Sequence, residues 1–135
     1  MAESIRLEVV TPEKSVVSES AQIVMAPGSM GEFGVLTGHT PFLTTLKTGA
    51  LKYKDESGRE RFVFVSSGFA EALPDRVTVL AESAERRKDI DVQRAKSAVE
   101  RAEKRLQSAG KDVDYIRAKA ALLRAISRIQ LAETR

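Results

Sequence analysis

Four kinds of residue arrangement could do chemistry here: a nucleophile beside its base, a metal ligand set, a phosphate-cradling loop, or a convergent array of charges. Only the last is well represented in this 135-residue chain. The single histidine, His39, lies in Gly38-His39-Thr40-Pro41, and there is no cysteine. One imidazole without thiolates does not make a zinc site, and no pattern supplies the partner a general base needs. His39 therefore reads as a hydrogen-bonded loop residue or an interface contact. Gly28-Ser29-Met30-Gly31-Glu32-Phe33-Gly34 is glycine-rich but lacks the lysine and following helix of a phosphate loop, so tight turns explain it better. No nucleophile elbow or dinucleotide fingerprint occurs. The pattern is that of a protein that is not an enzyme.

The charges that could converge are arginines near the C-terminus. Arg94 and Arg101 are seven residues apart and share one face of a helix; Arg124 and Arg128 are four apart and share a face of another. Brought together, four guanidiniums would offer forked donors that match phosphate oxygens. Asp91, just ahead of the first pair, could accept hydrogen bonds from a base or sugar. The competing reading is that these arginines are solvated side chains lying over a small-residue seam. Aromatic residues make up only 5% of the chain and none interleave with the basic helices, so nucleic acid is not an expected partner.

Two kinds of element must position these residues. Residues 5–10, 15–26, 33–36, 42–46, 50–54, 60–66 and 76–81 are short runs rich in Val, Ile, Thr and Phe, separated by Gly, Pro, Ser and Asp. Ile5, Leu7 and Val9 alternate with Arg6 and Glu8, the period of a half-buried strand. Asp55-Glu56-Ser57-Gly58 predicts a hairpin turn. Many short strands with frequent turn signals predict a β-sandwich or barrel over residues 1–86.

After Leu80 the texture changes. Ala95, Ala98, Val99, Ala102 and Leu106 recur at helical spacing, as do Ile116, Ala120, Leu123 and Ile126. Gly110 is a fitting residue to end the first helix and Asp112 to cap the second. The connection is short, so residues 87–135 are expected to form an antiparallel two-helix hairpin, each helix about 20 residues or roughly 30 Å long. Its seam is mostly alanine. At about 25 cal/mol per Å² of apolar surface, such a seam is weak, which would let the hairpin open; the alternative is a static helical lid. The fold class is thus α+β, an antiparallel β-sandwich followed by a helical hairpin.

The charge divides with the fold. Residues 1–86 carry 9 Lys/Arg against 12 Asp/Glu, and residues 87–135 carry 13 against 7, so an anionic partner would meet the helical part. No apolar run is long enough to span a membrane. Met1-Ala2-Glu3-Ser4 leads directly into a strand pattern, so no targeting peptide is expected.

The sequence resembles the epsilon subunit family of the rotary F-type ATP synthase, over essentially its whole length. The resemblance rests on Gly31-Glu32-Phe33-Gly34-Val35-Leu36-Thr37-Gly38-His39-Thr40-Pro41, on Leu46-Lys47-Thr48-Gly49-Ala50-Leu51, on Ser67-Gly68-Phe69 with Val77-Thr78-Val79-Leu80-Ala81, and on Ile90-Asp91-Val92-Gln93-Arg94-Ala95. It implies a non-catalytic subunit of the central stalk, bound to the gamma subunit and seated on the ring of c subunits, with Glu32 and His39 facing that ring. It implies a role in coupling proton flow to ATP synthesis, and a peripheral place on the cytoplasmic side of a bacterial inner membrane. It also implies two states of the helical arm: folded down, or extended along gamma towards the alpha and beta subunits, where it blocks ATP hydrolysis. Some members hold a regulatory ATP in the folded hairpin. Ile90 through Ala95 match their motif, and Arg101, Arg124, Arg128 and Glu85 match further positions. No cofactor is required on this reading, and no metal is expected to be essential.

Overall fold

A computed structural model describes residues 3–108 and 114–134. The chain divides into two compact units, Met1–Arg87 and Lys88–Arg135.

The first unit is a seven-stranded sheet folded on itself: β1 (Ile5–Val10), β2 (Ser15–Gly28), β3 (Gly31–Val35), β4 (Phe42–Leu46), β5 (Gly49–Asp55), β6 (Glu60–Leu73) and β7 (Arg76–Arg86). All seven expected strands are present. Every pairing is antiparallel except β1 with β7, which run parallel. β1 lies between β2 and β7 and closes the sheet on itself. The alternation in β1 is realised: Ile5, Leu7 and Val9 are buried while Arg6 is exposed. They join Val17, Val24, Leu51, Tyr53, Val63, Val65, Val77 and Val79 in one core. Each large apolar side chain so enclosed contributes about 1.5–3 kcal/mol.

β2 and β6 are each 14 residues long and serve successive neighbours. β6 pairs with β5 from Glu60 to Val65 and with β4 from Gly68 to Ala72. The change of partner falls at Ser66-Ser67-Gly68. Ser67 has φ 53° and Gly68 φ 148°, a left-handed stretch open to glycine at little cost. A Cβ on Gly68 would also collide with the Leu80 carbonyl oxygen. Ser66, a buried polar residue, is satisfied by a 3.0 Å hydrogen bond between its Oγ and that of Thr48. The expected end of this strand at residue 66 is therefore corrected. Ser67-Gly68 bends the strand without ending it.

The expected end of the last strand at residue 81 is also corrected. Ala81 to Arg86 has a helix-favouring composition, yet it pairs with Val63–Gly68 of β6; tertiary pairing overrides local preference. The hairpin at residues 55–58 forms as expected. Asp55 N–H donates to Arg59 O at 2.9 Å and Gly58 N–H to Asp55 O at 3.0 Å, with Gly58 at φ 83°. The Asp55 carboxylate accepts from the Ser57 and Arg59 amides and from Arg61 Nε.

The second unit follows a 3₁₀ turn at Arg87–Asp89 and holds α1 (Val92–Gln107) and α2 (Tyr115–Glu133), which pack on each other. Asp114 caps α2, its Oδ1 accepting from the Arg117 amide at 3.0 Å. The cap thus lies two residues beyond the expected Asp112; Asp112 and Gly110 fall outside the described residues. α1 buries Ala95 and Ala102, as expected. On α2 the expected face is the wrong one: Ala118, Ala125 and Leu131 are buried, whereas Ile116, Leu123 and Ile126 are exposed. Both helices bury alanines, whose small side chains permit a close approach, and the larger side chains at 116, 123 and 126 stay outside.

Candidate functional site

Asp91 ends its extended segment at φ −84°, ψ 99° and caps α1. Its Oδ1 accepts from the Arg94 amide at 3.0 Å and its carbonyl from the Ala95 amide at 3.0 Å. The first bond satisfies one of the otherwise orphaned donors of the first turn, the second is the first bond of the helix itself, and the carboxylate sits at the positive end of the helix. Ile90, next to it, is buried. Arg94 and Arg101 both stand exposed on α1, two turns apart. Arg124 and Arg128 are one turn apart on α2 and half-buried. All four belong to the helical unit. Among the described residues, no carboxylate lies within ion-pair distance of Arg94, Arg101 or Arg124. Glu85 belongs to the other unit, on β7 opposite Phe64 of β6. Among the described residues, no group of three or more acidic or histidine side chains could hold a metal ion.

The second candidate site is at one end of the sheet. Glu32, on β3 opposite Pro27, is exposed, and Met30 at the tip of the β2–β3 turn is 97% exposed. His39 is half-buried in a turn closed by its own amide to Leu36 O at 3.1 Å, with Gly38 N–H donating to Pro74 O at 2.7 Å. His39 Nδ1 is 2.7 Å from Thr40 O. A carbonyl only accepts, so Nδ1 carries the proton and Nε2 is left to an outside partner. The Phe42 ring packs edge-on against both Phe33 and His39, with centroids 5.0 Å apart in each case. One aromatic trio thus ties the strand carrying Glu32 to the loop carrying His39.

Two features have no counterpart among the sequence-derived candidates. One is an exposed apolar ribbon across the sheet: Phe69 pairs with Leu80, which pairs with Val10, and Leu43 lies two residues along β4 from the Thr45 that faces Phe69. Leu43, Phe69 and Leu80 are 67%, 44% and 40% exposed, whereas large apolar side chains grouped on a surface usually mark a partner. The other is a cluster of Glu19, Tyr53 and Arg86. The Tyr53 hydroxyl donates to Glu19 Oε1 and accepts from Arg86 Nη1 at 3.1 Å, while Arg86 Nε donates to Val16 O at 3.1 Å. Burial, with the hydrogen bond to Glu19, pushes the Tyr53 phenol up to about 12. These residues come from three strands, so spacing along the chain gives no hint of the cluster.

Residues 4–87 match the family described as ATP synthase, Delta/Epsilon chain, beta-sandwich domain, and residues 88–133 match ATP synthase, Delta/Epsilon chain, long alpha-helix domain. The ATP synthase epsilon chain of Desulfosudis oleivorans is 71% identical over 108 residues, covering 80% of this chain and 81% of that relative. That of Desulforapulum autotrophicum is 70% identical over 106 residues, covering 78% of each. Among solved structures, a chain of the Euglena gracilis mitochondrial ATP synthase superposes with a TM-score of 0.79 at 25% identity, covering 92% of this chain and 78% of that one. A chain from the central stalk and c-ring of the Tetrahymena thermophila mitochondrial enzyme shares the fold, with a TM-score of 0.56 at 17% identity over 95% of this chain and 92% of that one. The β-sheet unit and the helical unit each meet their counterpart in order, and the chain belongs to the delta/epsilon family of ATP synthase subunits as an epsilon chain, a central-stalk component that is not itself catalytic.

Proposed function

We propose that this subunit helps couple proton flow through the c-ring to ATP synthesis, and restrains ATP hydrolysis with its helical unit. The observation that carries the second part is the inside-out helical pair. α1 and α2 bury mainly alanines, while Ile116, Leu123 and Ile126 of α2 are exposed. Separating alanines gives up little buried area, and the outer apolar face of α2 gains by being covered elsewhere. That supports an arm able to leave its partner helix and extend along gamma towards alpha and beta. Replacing Leu123 and Ile126 together by Asp is expected to raise hydrolysis by the assembled complex. An unchanged rate in a complex that retains the subunit would exclude this face as the inhibitory one.

On this reading the sheet unit is the rotor foot. The ribbon of Leu43, Phe69 and Leu80 is the seat for gamma, and Glu32 and His39 meet polar loops of the c-ring, where exposed charge sets register more than affinity. The subunit is then peripheral, on the cytoplasmic side of a bacterial inner membrane; no helix among the described residues is long and apolar enough to cross one.

A second reading, compatible with the first, is a regulatory ATP held by the helical unit. It is favoured by three guanidiniums, those of Arg94, Arg101 and Arg124, that no carboxylate neutralises among the described residues. Calorimetry of the full chain with ATP tests it, and no heat at millimolar ATP would remove it.

A further inference from the structure

The last stretch of β7 is held differently from the rest of the strand. From Arg76 to Leu80, β7 has a ladder on both sides, with β6 and with β1. Beyond Leu80 the β1 ladder stops, and Ala81 to Arg86 pair with β6 alone. A strand end with one ladder frays readily. At its final residue the missing neighbour is replaced by side-chain chemistry. The Arg86 guanidinium reaches β2 through its 3.1 Å bond to Val16 O, and β5 through its 3.1 Å bond to the Tyr53 hydroxyl. It also lies 3.7 Å from Glu19 Oε1, the acceptor of the Tyr53 proton. The hydroxyl is used as both donor and acceptor, and the network is charge-assisted and partly buried, the conditions under which such bonds are strong. Arg87 follows with its guanidinium 4.5 Å above the Phe62 ring, a second fixed point. The division between the two compact units falls directly after it, at Lys88. Lys88 and Asp89 are exposed, and the Asp91 cap then opens α1.

We infer that Glu19, Tyr53 and Arg86 form a root clamp, which pins the end of β7 to β2 and β5 and confines the swivel of the helical unit to Lys88–Asp91. The inference rests on the proposed movement of that unit for its purpose, but not for its test. Without the clamp, six residues of single-laddered strand would join the swivel, and the arm would pivot from a longer and looser root. With it, a movement of the helices begins at one fixed place on the rotor foot.

Hydrogen–deuterium exchange on the full chain tests this, using Tyr53→Phe, which keeps the ring, and Arg86→Gln, which removes the guanidinium. In the unsubstituted chain, protection is expected to persist through Arg86 and to fall at Lys88–Asp89. In both variants, exchange over residues 82–86 is expected to quicken at least tenfold, while β1 changes less than twofold. Exchange over 82–86 that stays as slow as in the unsubstituted chain would overturn the clamp. So would a matching acceleration in β1, since the cluster would then be ordinary core. The readout uses no hydrolysis assay, so failure of the inhibitory reading would leave this result standing.

Discussion

The Asp91 carboxylate accepts the Arg94 backbone amide at 3.0 Å. The two most prominent residues of the candidate nucleotide motif are thus already joined by helix capping. Any loss of ATP response in an Asp91 variant therefore has two sources. Asp91→Ala removes the cap and is expected to destabilise the helical unit by about 1 kcal/mol, whereas Asp91→Asn retains a capping oxygen and costs only a few tenths. Thermal melts followed by circular dichroism check this. A nucleotide role for the carboxylate requires that Asp91→Asn weaken ATP binding while leaving the melt in place.

Arg94 and Arg101 stand exposed, and among the described residues no carboxylate lies within ion-pair distance of either guanidinium. Removing one guanidinium from a phosphate site forfeits charge-assisted hydrogen bonds of about 1.5–3 kcal/mol. Arg94→Ala and Arg101→Ala are each expected to weaken ATP binding at least tenfold in calorimetry, with no change in the melt. Unaltered affinity in both would return these residues to surface decoration.

The raised Tyr53 phenol gives stability a dependence on alkaline pH. The unfolded tyrosine ionises near 10, while the folded one, buried and donating to Glu19, holds its proton up to about 12. Between these values the unfolded state binds fewer protons, so this contribution is complete below pH 10 and is lost as pH rises through 12. Urea unfolding at pH 9 and pH 11 is expected to show a larger fall for the unsubstituted chain than for Tyr53→Phe. Equal falls would show that the hydroxyl is not held as described.

Gly68 combines φ 148° with a site where a Cβ would meet the Leu80 carbonyl oxygen. Gly68→Ala is expected to destabilise the sheet unit by about 3 kcal/mol or more. Gly34→Ala, where the nearest atom to an added Cβ is 3.8 Å away, serves as the mild control. Equilibrium unfolding of the two variants separates them.

Much of this architecture is legible in the residues themselves. Ile5, Leu7 and Val9 announce β1 by alternation, Asp55 to Gly58 announce a hairpin turn, and the change of period near the middle of the chain announces the helices. What is hidden depends on distant partners. Ser67-Gly68 reads as a break because glycine usually is one; here its open φ lets one strand turn from β5 to β4. Ala81 to Arg86 favours a helix, but the side of β6 that β5 and β4 leave open over Val63–Gly68 claims it. On α2 the larger apolar residues suggest the inner face, yet the buried residues are Ala118 and Ala125, as Ala95 and Ala102 are on α1. The Glu19, Tyr53 and Arg86 cluster spans three strands and leaves no periodic trace. The arginine set is legible as a motif, whereas Glu85, which only the family resemblance joins to it, belongs to the other compact unit.

The central claim, that the helical unit is a brake, is tested most directly by the ATP hydrolysis rate of the reconstituted synthase carrying a subunit truncated after Arg87. The clamp and the closed sheet lie within the retained residues, so the truncated subunit is expected to assemble and to support synthesis at close to the full rate. Hydrolysis is expected to rise severalfold. A complex that retains the truncated subunit, synthesises ATP and hydrolyses it no faster than before would contradict the account.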